Sequence, residues 1–186
     1  MTGFEELAKQ TALYPKEAPA AVKTTRGGLT IGLPKEVSLQ ENRLALTPEA
    51  VAILVRNGHE VLVERSAGEG AAFSDTEYSE AGGQIVPSAR EVYDATLILK
   101  VEPLVDEEFG YLKSGSTLIS ALNLPAHDRP YFERLNEKGV TGIGYEFIED
   151  PAGGMPIIRS MSEIAGSAVL LIAGEYLRSG NGRGII

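Results

Sequence analysis

Two cations stand where ligand chemistry is possible. Arg43 lies in "ENRLALTPEA", residues 41–50, just ahead of a helix start. Thr47 can cap that helix with its hydroxyl, and Pro48 suits the first helical position, where no N–H is needed. Leu44 and Leu46 read as inward-facing neighbours of the arginine. Lys100 closes the apolar run "TLILKV", in front of Glu102 and Pro103. Arginine offers a planar two-donor fork and lysine a mobile point charge, so the pair would make a carboxylate site. Singly, each has a blander reading: a surface arginine, and a lysine that snorkels from a strand end.

The other candidates are weaker. "SAGEGAA" has G-x-G at Gly68 and Gly70 but no third glycine, which reads as a tight turn rather than a nucleotide fingerprint. Gly180, Gly182 and Gly184 are evenly spaced but lead nowhere. His127 and Asp128 sit at a helix start, where capping by Asp128 beside an exposed His127 is the simpler reading than a catalytic pair. With no cysteine and only His59 and His127, there is no disulfide framework and no thiolate chemistry. No metal site is expected either.

The elements that must position Arg43 and Lys100 alternate with regularity. "LTIGL" reads as a strand, 48–57 as a helix closed by Gly58, and "EVLVE" as a second strand. After the glycine loop come a short helix over 75–81, the strand "QIV" and a helix over 88–94, with Ser88 and Glu91 at capping-box spacing. "TLILKV" and "TLISAL" are continuous apolar strands of the kind covered on both faces, with a helix predicted between them over 106–113. A helix over 128–138 and the strand "VTGIGY" follow. This alternation predicts an α/β fold, a doubly wound and mostly parallel sheet with ligand-facing loops at the strands' carboxyl ends.

Bulk composition sets limits. Of 186 residues, 43% are hydrophobic and 23% charged, ordinary values for a soluble globular chain. A formal charge of −9 disfavours nucleic acid and anionic membrane surfaces as partners. No uncharged apolar run of about 18 residues and no leader pattern are visible. The stretch 169–173 is too short to span and is followed by Glu175. We expect a cytoplasmic protein without membrane insertion.

The two ends differ from the middle. Residues 1–27 read as a mobile extension and linker, polar and small after "FEELAKQTALYP". Near the other end, Ser160 and Glu163 stand at capping-box spacing, and 161–178 can form one helix of roughly 27 Å. It is apolar on nearly every side, so it should be buried between layers or domains. "SGNGRGII" then turns towards a strand and stops, which reads as a truncation.

The segment from "IGLPKEVSLQENRLALTPEA" to "GGQIV", with "LILKVEP" and "RSMSEIAGSAVLLIAGEYL", resembles the N-terminal catalytic domain of the alanine dehydrogenase and pyridine-nucleotide transhydrogenase family. The likeness covers about residues 29–186. It implies a two-domain NAD-dependent enzyme, with 28–158 as substrate domain and 159–186 as linking helix and start of an NAD-binding Rossmann domain absent from this chain. By the same likeness Arg43 grips the carboxylate of a small 2-oxo or 2-amino acid. Lys100 contacts the carboxylate and the carbonyl or amino group, and Met161 and Ser162 lie beside NAD. A homo-oligomer is implied, and this fragment alone should be inactive. One position departs: Asn123 in "LISALNLPAH" stands where alanine dehydrogenases carry a catalytic histidine, and an amide is no general base near neutral pH. Two further functions stay open: the NAD-binding alpha subunit of a proton-translocating transhydrogenase, and a non-enzymatic carboxylate-binding or assembly module.

Overall fold

The computed structural model describes residues 28–180, so the extension at 1–27 and the expected strand start after Gly180 lie outside the described residues. Six strands form one sheet: β1 (Thr30–Leu33), β2 (Glu60–Glu64), β3 (Gln84–Val86), β4 (Leu97–Leu99), β5 (Thr117–Ser120) and β6 (Thr141–Gly144). Their order is β3-β2-β1-β4-β5-β6 and every ladder is parallel. The order reverses between β1 and β4, which pair Ile31 with Leu97 and Gly32 with Ile98. In such sheets that reversal opens a crevice at the carboxyl ends of the two strands.

Helices cover both faces. α1 (Pro48–Arg56) and α2 (Asp75–Glu80) pack Val51 and Tyr78 onto Ile31, Leu33, Val61 and Val63. On the other face, α3 (Ala89–Val92) and α4 (Arg129–Glu137) pack Val92, Tyr131 and Leu135 with Leu62, Ile98 and Leu118. Alternate residues of β1 and β2 therefore serve opposite cores, which is why these strands read as apolar without interruption. α3 lies so close to β1 that a Cβ on Gly32 would come within 2.5 Å of the Val92 carbonyl oxygen.

Local chemistry explains the helix starts, with corrections. Thr47 caps α1 as expected, its hydroxyl accepting from the Ala50 amide at 3.3 Å. The reciprocal capping box forms at Ser74 and Glu77 of α2, not at Ser88, whose hydroxyl donates to the Glu91 carboxylate instead of accepting from the backbone. Asp128 occupies the N-cap position of α4 without a side-chain cap bond. His127 is half-buried rather than exposed, stacked on Tyr131 with ring centroids 4.1 Å apart. The helix expected over 106–113 is one short 3-10 turn, Glu108–Gly110, because Glu108, Phe109 and Leu112 all turn into the core.

The last helix, α5 (Pro156–Leu177), begins before the predicted cap. Pro156 fills its first position, and Ser160 lies inside it, donating to the Pro156 carbonyl, while Glu163 pairs with Arg159. Its 22 residues and hydropathy of 1.4 make it long and apolar enough to cross a membrane by length and composition. That corrects a reading based on residues 169–173 alone. It was expected to be buried, yet none of its residues is; Leu171 is 79% exposed and Leu170 74%. Contiguous apolar surface of a few hundred Å² is rarely left bare on a soluble monomer. The chain should therefore self-associate through α5 in dilute buffer, and Leu170→Glu with Leu171→Glu should return it to a monomer in sedimentation velocity. A wild-type monomer with α5 fully helical would contradict this.

Candidate functional site

The site lies at the reversal of strand order. The segment 34–47, which follows β1, carries Glu36, Glu41 and Arg43, and Lys100 directly follows β4. The backbone of Lys100 is still in ladder register, its amide donating to the Ile119 carbonyl at 2.9 Å. A lysine so placed points off the end of the sheet.

Its ammonium does not reach solvent. The side chain is 1% exposed, with Nζ 2.7 Å from Glu108 Oε1 and 3.1 Å from Glu36 Oε2. Glu108 is saturated with donors: Oε1 accepts from Lys100 and from the Tyr93 hydroxyl at 2.9 Å, and Oε2 accepts from the Val105 amide at 2.8 Å. Glu36 is served less well. Oε1 accepts from the Val101 amide at 2.6 Å, but Oε2 faces the ammonium at 3.1 Å outside hydrogen-bonding geometry. Burial raises the Glu36 carboxyl above the ordinary carboxylate range, opposed by the charge of Lys100 and the Val101 amide. Tyr93 is pushed up by the same burial and by the Glu108 charge.

Arg43 is held differently. Its Nε and Nη2 make a two-point contact with the Glu41 carboxylate at 2.8 and 2.5 Å, and Nη2 lies 3.8 Å from Glu102. The hydrogen bonds that Arg43 donates to the Glu41 carboxylate hold that carboxyl below the ordinary range and raise the guanidinium in turn. The loop itself is clamped from behind. Tyr78 donates to the Leu46 carbonyl at 2.8 Å, its phenol pushed up to about 12 by burial. A Cβ on Gly70 would touch Asn42 at 3.0 Å, and one on Gly68 would strike the Tyr78 ring at 2.6 Å. Protein atoms stand where a side chain would go at both glycines, and Gly70 also borders a polar cavity of about 200 Å³.

Arg43, Lys100 and Met161 line one cavity of about 390 Å³, walled by Leu44, Leu46, Leu99, Ile119, Ile157 and Tyr145. Tyr145 donates to the Val101 carbonyl at 2.8 Å, tying this wall to the Lys100 strand end. Asn123 does not line that cavity. It lines an adjoining one of about 490 Å³ that shares Tyr145 and Met161. Glu146 Oε1 accepts from the Leu122 and Asn123 amides, both at 2.8 Å, and Asn123 adopts a left-handed backbone with φ 42°. Ser162 is exposed and lines neither cavity, and His127 lies apart on Tyr131. Sequence reasoning missed Glu108 and Tyr93 altogether. Glu36 appeared only inside the quoted segment "IGLPKEVSLQENRLALTPEA", with no role given to it. Among the described residues no cluster of His, Asp or Glu suits a metal ion.

The sequence profile of the alanine dehydrogenase/PNT N-terminal domain matches residues 32–165. The chain belongs to this family. It is 40% identical over 154 residues to the alanine dehydrogenase of Staphylococcus saprophyticus, covering 83% of this chain and 41% of that protein. Against that of Mycobacterium tuberculosis it is 39% identical over 160 residues, covering 85% and 43%. A solved L-alanine dehydrogenase superposes with a TM-score of 0.78 at 36% identity over 83% of this chain and 43% of its own. A transhydrogenase from Sinorhizobium meliloti gives 0.59 at 29% identity over 63% and 33%. The chain spans about two fifths of the length of the curated relatives it matches.

Removing the ammonium would strand two buried carboxylates. Lys100→Met should cost about 3–5 kcal/mol in urea unfolding near neutral pH, the scale for breaking a buried ion pair. A carboxylate raised by folding binds more protons folded than unfolded, so its contribution to stability grows as pH falls through the raised range. The deficit of Lys100→Met should therefore shrink as pH falls through the raised range of Glu36. A deficit that widens in acid would contradict the placement of these charges.

Proposed function

We propose that residues 28–158 are the substrate domain of an NAD-dependent alanine dehydrogenase-like oxidoreductase, which converts L-alanine, NAD and water to pyruvate, ammonium and NADH. Residues 159–186 would be the linking helix and the start of the nucleotide-binding domain. The observation that carries this reading is the shared cavity: Arg43 and Lys100 line one apolar-walled space at the carboxyl ends of β1 and β4. A small 2-oxo acid fits the parts. Its carboxylate suits the Arg43 fork, which already grips a carboxylate, that of Glu41. Its C2 oxygen suits the Lys100 ammonium, and the aliphatic wall suits a methyl group. Holding C2 in one orientation can supply several kcal/mol of the barrier, and a cation at the carbonyl oxygen stabilises the charge that develops there.

The residues fit NAD at one end only. Met161 gives the cavity an apolar rim against which a nicotinamide ring could lie, with Ser162 beside it on α5. The bound cofactor would accept the hydride from C2. For the diphosphate, the loop after β2 offers G-x-G without a third glycine. On this reading α5 is an interdomain and intersubunit helix of a cytoplasmic homo-oligomer rather than a membrane span. It carries Arg159, Glu163 and Glu175, and its apolar residues would meet protein.

One residue favours a second reading, the NAD-binding alpha subunit of a transhydrogenase. Such subunits perform no amination and need no proton carrier at Asn123, whose side chain cannot act as a base.

The test of the leading reading is pyruvate binding to this chain, followed by NMR at the Arg43 Nε resonance. Arg43→Lys keeps the charge but loses the two-donor fork, and should weaken pyruvate at least about tenfold, the scale of one charge-assisted hydrogen bond. Equal affinity for the two chains would remove Arg43 from the site.

A further inference from the structure

We propose that Glu36 and Lys100 form a proton conduit that joins the substrate cavity to a second, polar cavity, and that this pair moves the proton Asn123 cannot. The inference rests on reading the first cavity as a 2-oxo acid site. Lys100 lines that first cavity. Glu36 contributes to the wall of the other, a space of about 200 Å³ lined also by Lys35, Glu41, Asn42, Ser66 and Glu69. Arg43 borders both cavities at their mouths, and behind it Lys100 Nζ and Glu36 Oε2 lie 3.1 Å apart, with the two side chains 1% and 2% exposed.

The two carboxylates flanking Lys100 are not equivalent. Glu108 accepts three hydrogen bonds, which fixes it as the permanent counter-ion. Glu36 keeps one oxygen without a hydrogen bond, and two buried carboxylates beside one ammonium leave an unbalanced negative charge that a proton would cancel. Glu36 is the carboxylate placed to take it, and its raised protonation range agrees. The charged and titratable groups around Glu36 come from every packed element. They are Lys100 after β4, Glu108 on its 3-10 turn, Tyr93 at the end of α3 and Glu64 at the end of β2. Lys35, Glu41, Arg43 and Glu69 surround the polar cavity.

The exchange balances. When ammonia adds to C2 of the 2-oxo acid, the C–N bond forms and the carbonyl π pair moves to oxygen, which takes a proton from Lys100 Nζ. The proton shed by the added nitrogen goes to solvent. The neutral amine then takes the carboxyl proton of Glu36, and the carboxylate is refilled from water in the polar cavity. Nothing is oxidised or reduced, and deamination runs the same path backwards.

The experiment is solvent exchange of the Lys100 ammonium protons in this chain, read by Nζ-detected NMR on wild type, Glu36→Gln and Glu108→Gln. Glu36→Gln should slow exchange at least about tenfold, because an amide cannot pass a proton on. Glu108→Gln breaks the shorter of the two ion pairs yet should not slow exchange. Equal rates in wild type and Glu36→Gln would overturn the conduit, as would equal slowing by both variants. If Glu36→Gln does not fold, the wild type still decides: carboxyl ¹³C titration should place Glu36 above the exposed glutamates, with Lys100 Cε shifting at the same midpoint, and a silent Cε would overturn the conduit. Pyruvate that leaves Arg43 Nε unmoved would sink the substrate reading separately, since neither exchange nor titration needs a ligand.

Discussion

One ammonium closed between two carboxylates is the constraint on which this end of the molecule depends. Each member comes from a different part of the chain: Glu36 from the loop after β1, Lys100 from the end of β4, Glu108 from the turn before β5. Burying three charges is expensive, and such a cluster is a poor source of net stability compared with apolar packing. What it provides is coincidence of parts. Without Lys100 both carboxyl groups would be buried with no cation beside them, so the loop, the strand end and the turn hold one arrangement. Of the three, Lys100 also lines the cavity it shares with Arg43.

Arg43 obeys a different rule. It is half exposed, and its partner Glu41 lies two residues away in the same loop. An exposed pair of this kind contributes little to stability. What the pair provides is alignment: the guanidinium is held in place by the two-point contact with Glu41. Lys100 is thus fixed by the fold and Arg43 by its own loop.

Much of this was legible from sequence, and the reasons are specific. The apolar strands and their helices followed from periodicity, because a parallel sheet covered on both faces leaves uninterrupted runs such as "TLILKV". Lys100 stood out because a lysine closes an apolar strand, and Arg43 because it stands among apolar residues just ahead of a capped helix start. Glu108 could not be found in that way. It reads as one acid in the run "DEEFG", and only the folding of that turn into the core turns a solvated residue into a buried counter-ion. The start of α5 was misplaced because Ser160 with Glu163 imitates a capping box, while Pro156 four residues earlier is the true first turn. The exposure of α5 also could not be read locally. Periodicity says that a face must be covered and does not name what covers it.

The most direct test of the account is a crystal structure of this chain with pyruvate. The account predicts the pyruvate carboxylate on the Arg43 guanidinium in place of Glu41. It also predicts the C2 oxygen within hydrogen-bonding distance of Lys100 Nζ, the methyl against Leu99 and Ile119, and Glu108 still on the ammonium. Pyruvate bound elsewhere, or seated in the cavity with Arg43 still paired to Glu41 and Lys100 making no contact with the ligand, would contradict it.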